Sequence, residues 1–277
     1  MSIQEAERAV RDGDIDTALA RLQDEIRREP GVARLRIFLF QLLCVSGQWE
    51  RARTQLELAA ELDAGALAMA QMYKEAIHCE RLRTDVFDGR KSPLIFGEPD
   101  EWLALLIESL LVTGTPRAGE AADLRSRAFD AAPGTSGTID GAPFEWIADA
   151  DMRLGPVCEA VINGRYYWVP YSRLARIELE KPSDLRDFVW MPAHFAFQNG
   201  GEAVGVIPTR YPGSEKAADP LIRLARRTTW DEVAPGVFYG MGQRVLTTDT
   251  DQHSLMDVRS IRLGDAAVEA DADRSNA

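Results

Sequence analysis

The sequence contains no apolar run approaching the roughly 18 residues that a membrane-spanning helix needs. Its opening, MSIQEAERAVRDGD, is polar and acidic where a secretory leader is basic and then apolar. Both absences point to a protein that stays in the cytoplasm. Cysteine is scarce: Cys44, Cys79 and Cys158 are an odd number without CxxC spacing, each in an apolar or helical context. They read as buried thiols of a reducing compartment, which excludes a disulfide framework. The three histidines, His78, His194 and His253, form no HxxxH, HxH or HExxH pattern, so a metal site would have to be assembled from remote residues. No serine sits in GxSxG, and the tight glycine spacings at 200–201 and 236–242 do not form a strand-to-helix GxGxxG. Basic residues are also in deficit, 32 against 44 acidic, for a formal net charge of −12. Nucleic acid and anionic membrane would repel such a surface, so neither is expected as a partner. The deficit is shared, with 17 basic against 23 acidic residues in 1–132 and 15 against 21 in 133–277.

Apolar residues, by contrast, are plentiful. At 45% of 277 residues they suffice for one large core or two ordinary ones. The first half is rich in helix formers, with apolar residues recurring at three and four, and it repeats itself. Gly13, Ala18 and Leu22 recur as Gly47, Ala52 and Leu56, each displaced by 34 residues, the period of tetratricopeptide arrays. A glycine at the bend allows a tight turn between antiparallel helices, a small alanine lets their backbones approach, and the leucine fills the space between hairpins. Pro30 closes the first unit, and a degenerate third is expected around Ala121–Pro133. A long helix is expected over about 65–88. Pro93, Gly97 and Pro99 then break the pattern before a helix that starts near Asp100, with Trp102, Leu105 and Leu106 on its buried stripe.

After the stretch AAPGTSGTIDGAP (131–143), rich in Gly, Pro, Ser and Thr, the period changes to two, which places a domain boundary there. Residues 157–162, Asn163-Gly164 and 165–169 read as a strand, a type I′ turn and a strand. Further strands are expected at about 174–180, 188–197, 203–207, 244–247 and 255–263, with a helix or turn over 217–227. The fold class is therefore α+β: a TPR-like helical-repeat domain over 1–132, then a mainly antiparallel, small barrel-like β domain over 133–264. Residues 265–277, rich in Ala and Asp, read as a frayed tail.

Two features of the β half invite chemistry. In Phe144-Glu145-Trp146-Ile147-Ala148-Asp149-Ala150-Asp151, an extended chain puts Glu145, Asp149 and Asp151 on one face. That row could hold a cation or act as an acid and base pair, with His194 supplied from a neighbouring strand; the alternative is a strand with a wet side and a dry side. In NGRYYWVPY (163–171) Tyr166 and Trp168 share one face of a strand and Tyr167 and Val169 the other, so the aromatics cannot form one platform. One face should close the β core and the other pack on the helical half or meet a partner, which leaves Arg165, Tyr167 and Trp168 as candidates for a ligand- or peptide-binding site.

GAPFEWIADADMRLGP (141–156), NGRYYWVPYSRLARIELEKPSDLRDFVWMPAHF (163–195) and GGEAVGVIPTRYPGSE (200–215) resemble the ImpE/TagJ family, accessory proteins of bacterial type VI secretion also called SciE-type virulence proteins. The stretches 35–63 and 92–102 are similar to the same family's first half, and the likeness runs from about residue 5 to residue 263. The resemblance implies a non-enzymatic adaptor, without cofactor or catalytic residues, that binds the N-terminal helical region of the sheath subunit TssB and is connected with the unfoldase ClpV. A pair of stacked helical hairpins leaves a concave groove suited to the apolar face of an amphipathic helix. The repeat places Ile3, Glu7 and Val10, then Ile37, Gln41 and Cys44, on its inward side, and Tyr73 on the next helix extends it. Ordinary packing between helices is the competing role for each.

Overall fold

The computed structural model describes residues 3–264, so the tail from Asp265 lies outside the described residues. Seven helices open the chain: α1 (Ile3–Arg11), α2 (Ile15–Arg28), α3 (Ala33–Val45), α4 (Trp49–Leu62), α5 (Leu67–Phe87), α6 (Glu101–Leu111) and α7 (Ala121–Ala131). The 34-residue repeat is structural. Gly13 and Gly47 both turn the chain with positive φ, +85° and +66°, between α1 and α2 and between α3 and α4. Ala18 and Ala52 are fully buried at the crossings, and Leu22 and Leu56 are buried between the hairpins. In the first unit Asp14 also caps α2 by accepting from the Thr17 amide at 2.9 Å. The 121–133 stretch, read as a degenerate third unit, forms α7, which packs on α6, and on α6 Trp102 and Leu106 are buried while Leu105 is half-buried. None of the described helices is long and apolar enough to cross a membrane.

The strands are β1 (Leu94–Ile95), β2 (Gly137–Ile139), β3 (Ala142–Phe144), β4 (Ile147–Asp149), β5 (Val157–Ile162), β6 (Arg165–Pro170), β7 (Leu174–Leu179), β8 (Trp190–Phe197), β9 (Glu202–Pro208), β10 (Thr228–Ala234), β11 (Val237–Gly242), β12 (Val245–Thr248), β13 (Gln252–Ser254) and β14 (Ser260–Leu263), with the short helix α8 (Pro220–Arg223) between β9 and β10. Nine of them form one sheet in the order β1-β6-β5-β9-β8-β7-β14-β2-β3. The Asn-Gly hairpin forms as expected: Val161 faces Tyr166, Ile162 faces Arg165, and both turn residues have positive φ.

The barrel expectation is corrected, and strands form at three places where none was expected. The sheet does not close into a barrel, because its terminal strands β1 and β3 are only two and three residues long and do not meet. The 131–143 stretch, where composition places a domain boundary, contains the hairpin β2–β3 around Asp140-Gly141, a second turn with both φ values positive. The break at 92–101 supplies β1, which pairs in parallel with β6, Leu94 opposite Tyr167. The hairpin β10–β11, turning at Pro235-Gly236, has no counterpart in the expected strands.

One sheet face is built for the helices and the other for a second core. Val157, Val161, Tyr166, Trp168, Trp190 and Val206 join Leu39, Leu42, Ile77 and Leu103 of the helices in a single apolar cluster. Cys158, Ala160, Ile162, Met191, Phe195 and Ile261 point the other way and pack with Phe144, Leu246 and Val258. Strand β5 is buried on both faces as a result.

Candidate partner-binding groove

The inward stripe of the repeat meets the protein's own β region over half its length. Arg210, just past the end of β9, donates to the carbonyls of Cys44 (3.2 Å) and Val45 (2.8 Å) and so caps the C-terminus of α3. Cys44 is completely buried beneath it, and burial raises its thiol pKa well above the ordinary range. Tyr73 lies 5.6 Å from Trp190 and 5.8 Å from Phe40, with the Arg186 guanidinium 5.0 Å from its ring centre. Its hydroxyl is pushed up to about 12, burial being the main cause. Cys44 and Tyr73, expected on the open groove, are therefore covered by the β half. Sequence periodicity shows that a helix face is apolar but not which segment covers it.

The other half of the stripe remains open. Ile3, Glu7, Ile37 and Gln41 are half-buried, whereas Val10 is 4% exposed. A hollow of about 290 Å³ lies between Glu7, Val10 and Phe38 on one side and Pro182, Leu185, Phe188 and Arg226 on the other. A second, of about 500 Å³, opens at the start of α1 between Ile3, Val32 and Leu35, with Glu5, Glu25 and Glu29 around it. The Glu7–Arg34 ion pair at 3.7 Å stands between the two.

The two halves are pinned together by charges that sequence reading passed over. Glu159, fully buried on β5, accepts from Arg83 of α5 (2.7 and 3.1 Å), from the Tyr166 hydroxyl (2.5 Å) and from Arg244. Glu80, one turn before Arg83, accepts from the Trp190 indole at 2.9 Å. Burial alone would raise the Glu159 carboxyl, but Arg83 and Arg244 together hold it down at about 2. The one sign in the sequence is a glutamate inside the otherwise apolar run VCEAVI, which must find a cation to be buried.

Asp149 and Asp151 belong to this structural chemistry. Asp149 receives Arg244 and the Tyr211 hydroxyl (3.1 Å), and burial lifts it to about 6 against the pull of Arg244. Asp151 is gripped by Arg153 and by the Gly240 amide at 2.8 Å. Glu145 is exposed, so the expected row is split: β4 spans only Ile147–Asp149 and the chain then turns. His194 is half-exposed on β8, 3.6 Å from Glu202 and on the opposite sheet face from the second core. Among the described residues no three His, Cys, Asp or Glu side chains are grouped to hold a metal ion. In the aromatic strand Trp168 is fully buried and donates to the Tyr166 hydroxyl at 2.8 Å, while Tyr167 packs edge-on against Phe96 at 5.7 Å. Of those three candidates only Arg165 is exposed.

A family model described as ImpE protein matches residues 141–262, and a tetratricopeptide-repeat model matches residues 9–76. The type VI secretion system accessory component TagJ of Pseudomonas aeruginosa is 48% identical over 257 residues, covering 92% of this chain and 90% of that protein. The chain belongs to the ImpE/TagJ family. The crystal structure of protein VPA1032 from Vibrio parahaemolyticus has the same fold, with a TM-score of 0.86 at 24% identity, covering 94% of this chain and 97% of that one. The ImpE match begins at Gly141, so the stretch carrying Asp149, Asp151 and Glu159 lies within the ImpE part of the chain, and the repeat that aligns Gly13 with Gly47 lies within the tetratricopeptide part.

Proposed function

We propose that this protein is a cytoplasmic, non-enzymatic adaptor of a type VI secretion system that docks the N-terminal helical region of TssB and links it to ClpV-dependent sheath recycling. The observation that carries the reading is the open half of the repeat's inner face, where Ile3 and Val10 lie beside two adjoining hollows on one side of α1. Such a face suits a helix that presents apolar side chains about two turns apart. The accessory role named for the Pseudomonas relative supports the same assignment, as does a carboxylate row engaged by buried arginines instead of facing a substrate. The groove residues are Ile3, Glu7, Ile37 and Gln41, with the buried Val10 and Phe38 beneath them and the 182–188 loop as the far wall.

The test is capture of a synthetic peptide covering the TssB N-terminal region by the purified full chain. Ile3→Asp combined with Ile37→Asp should abolish capture while thermal unfolding stays within a few degrees of wild type. Undiminished capture by the variant would remove the groove from the account, and failure of the wild type to capture would remove the sheath partner.

A further inference from the structure

The hairpin β10–β11 stands apart from the large sheet as a two-stranded ribbon, and its two edges differ. The β11 edge lies on the 151–153 turn: Gly240, opposite Trp230, donates to Asp151 at 2.8 Å, and Phe238, opposite Glu232, accepts from the Met152 amide at 3.2 Å. Bonded and non-bonded pairs alternate along an antiparallel ladder, so these two are the non-bonded ones. The N–H and C=O groups of Trp230 and Glu232 therefore point away from β11, along the outer edge of β10. That edge faces solvent: residues 229–233 are all exposed, Trp230 by 36% and Val233 by 52%. An open strand edge of this kind is a template for another strand.

The charges along this edge are complementary to themselves. In Arg226-Arg227-Thr228-Thr229-Trp230-Asp231-Glu232, two arginines and two carboxylates stand at equal distances on either side of Thr229. Arg227 carries the ladder one residue past the strand, its carbonyl accepting from Gln243 at 3.2 Å. We infer that β10 is a homodimerisation edge: two copies of the chain pair antiparallel about a two-fold axis at Thr229, joining their ribbons into one four-stranded sheet. In that register Arg227 faces Asp231 of the second copy, Arg226 faces its Glu232, and Trp230 lies opposite its Thr228. Moving the axis to Trp230 sets Arg227 opposite Val233, and moving it to Asp231 sets two carboxylates face to face, so charge selects the Thr229 register. Both arginines can serve a second partner, because a guanidinium has five N–H donors. Arg227 gives one nitrogen to Asp219 at 2.6 Å, and Arg226 gives one to the Arg11 carbonyl at 2.8 Å. A single strand pair is a small interface, at or below the ~1,200 Å² at which stable ones begin, so the dimer is weak and concentration-dependent.

Sedimentation of the full chain over a roughly hundredfold range of concentration should show a monomer–dimer equilibrium that moves toward monomer at high salt. Arg227→Glu alone and Asp231→Arg alone, both at exposed positions, each set like charges opposite one another twice and should weaken self-association about tenfold or more at low salt. Mixed in equal amounts, the two variants regain two pairs of opposite charge and should form a heterodimer about as tight as the wild-type dimer. Thr229→Cys supplies a second measurement. Residues facing one another at a non-bonded antiparallel position have Cα atoms about 4.5 Å apart, within disulfide reach, so mild oxidation should link two copies of this variant. Val233→Cys, exposed on the same strand, should stay unlinked under the same conditions. A wild type that is monomeric throughout, self-association unchanged by either single reversal, or a mixture without heterodimer would overturn the proposal. Linking of Val233→Cys in preference to Thr229→Cys would overturn the register.

Discussion

Glu159→Gln tests whether a buried charge cluster holds the helical repeat to the sheet. The substitution keeps the shape of the side chain and removes one charge between two guanidiniums, those of Arg83 on α5 and Arg244 beside β12. Both cations are buried, so they lose their shared counter-charge with no water to replace it, and the loss at pH 7 should be about 3–5 kcal/mol. The pH dependence provides an independent figure. Glu159 titrates at about 2 in the folded chain against an ordinary 4.5. A depressed carboxyl contributes stability that is present above 4.5 and lost as pH falls through about 2. At ~1.4 kcal/mol per pH unit the span corresponds to about 3 kcal/mol. Asp149, lifted to about 6, has the opposite sign: its contribution is present below its ordinary value of 3.8 and lost as pH rises through 6. Its window lies mostly above 4.5, so the two are separable. Guanidinium unfolding of wild type and variant, followed by tryptophan fluorescence at pH 7, 4.5, 3 and 2, should show a gap that closes below 4.5. A gap under about 1 kcal/mol at pH 7, or one that does not change with pH, would refute the reasoning.

Two further outcomes follow from the way the β half covers the repeat. Gly13→Ala and Gly47→Ala both force alanine into positive φ, which costs about 1–2 kcal/mol. At Gly47 the new methyl would also lie 2.4 Å from Glu215 Cγ, whereas at Gly13 the nearest atom is 3.6 Å away, so denaturation should show the second variant clearly more destabilised than the first. Equal losses would mean that the 210–216 loop does not press on the repeat. The thiols should be inert in the folded state, because burial pushes Cys79 and Cys158 up to about 12 and raises Cys44 well above the ordinary thiol range. Ellman titration should find them only after denaturant is added, and fast reaction of any of them in the native protein would contradict the burial described.

Local signals were sufficient wherever the physics is local. A 34-residue spacing of Gly, Ala and Leu determined two helical hairpins, since a bend, a close crossing and a filled gap each demand a residue type. Asn163-Gly164 determined the central hairpin, because only such residues take positive φ at both turn positions without much strain. The same rule would have found Asp140-Gly141, which lies in a stretch rich in Gly, Pro, Ser and Thr that reads as a domain boundary. Family membership was likewise legible in the long motifs of the β half. Periodicity could not show which apolar face would be covered by what. Val10 and Cys44 hold the same position in the two repeats and are buried, one beside Phe188 and Arg226 and the other under Arg210, whereas Ile3 and Ile37, the preceding matched pair, stay half-open. Nor could a strand model show that Asp149 and Asp151 face inward, since their guanidinium partners stand about 90 residues away or across a turn. The chain by itself determined its helical hairpins, its central β-hairpin and its kinship; the packing of α5 against β5 decided which charges are structural, and the reach of the β half decided which part of the repeat's inner face it covers.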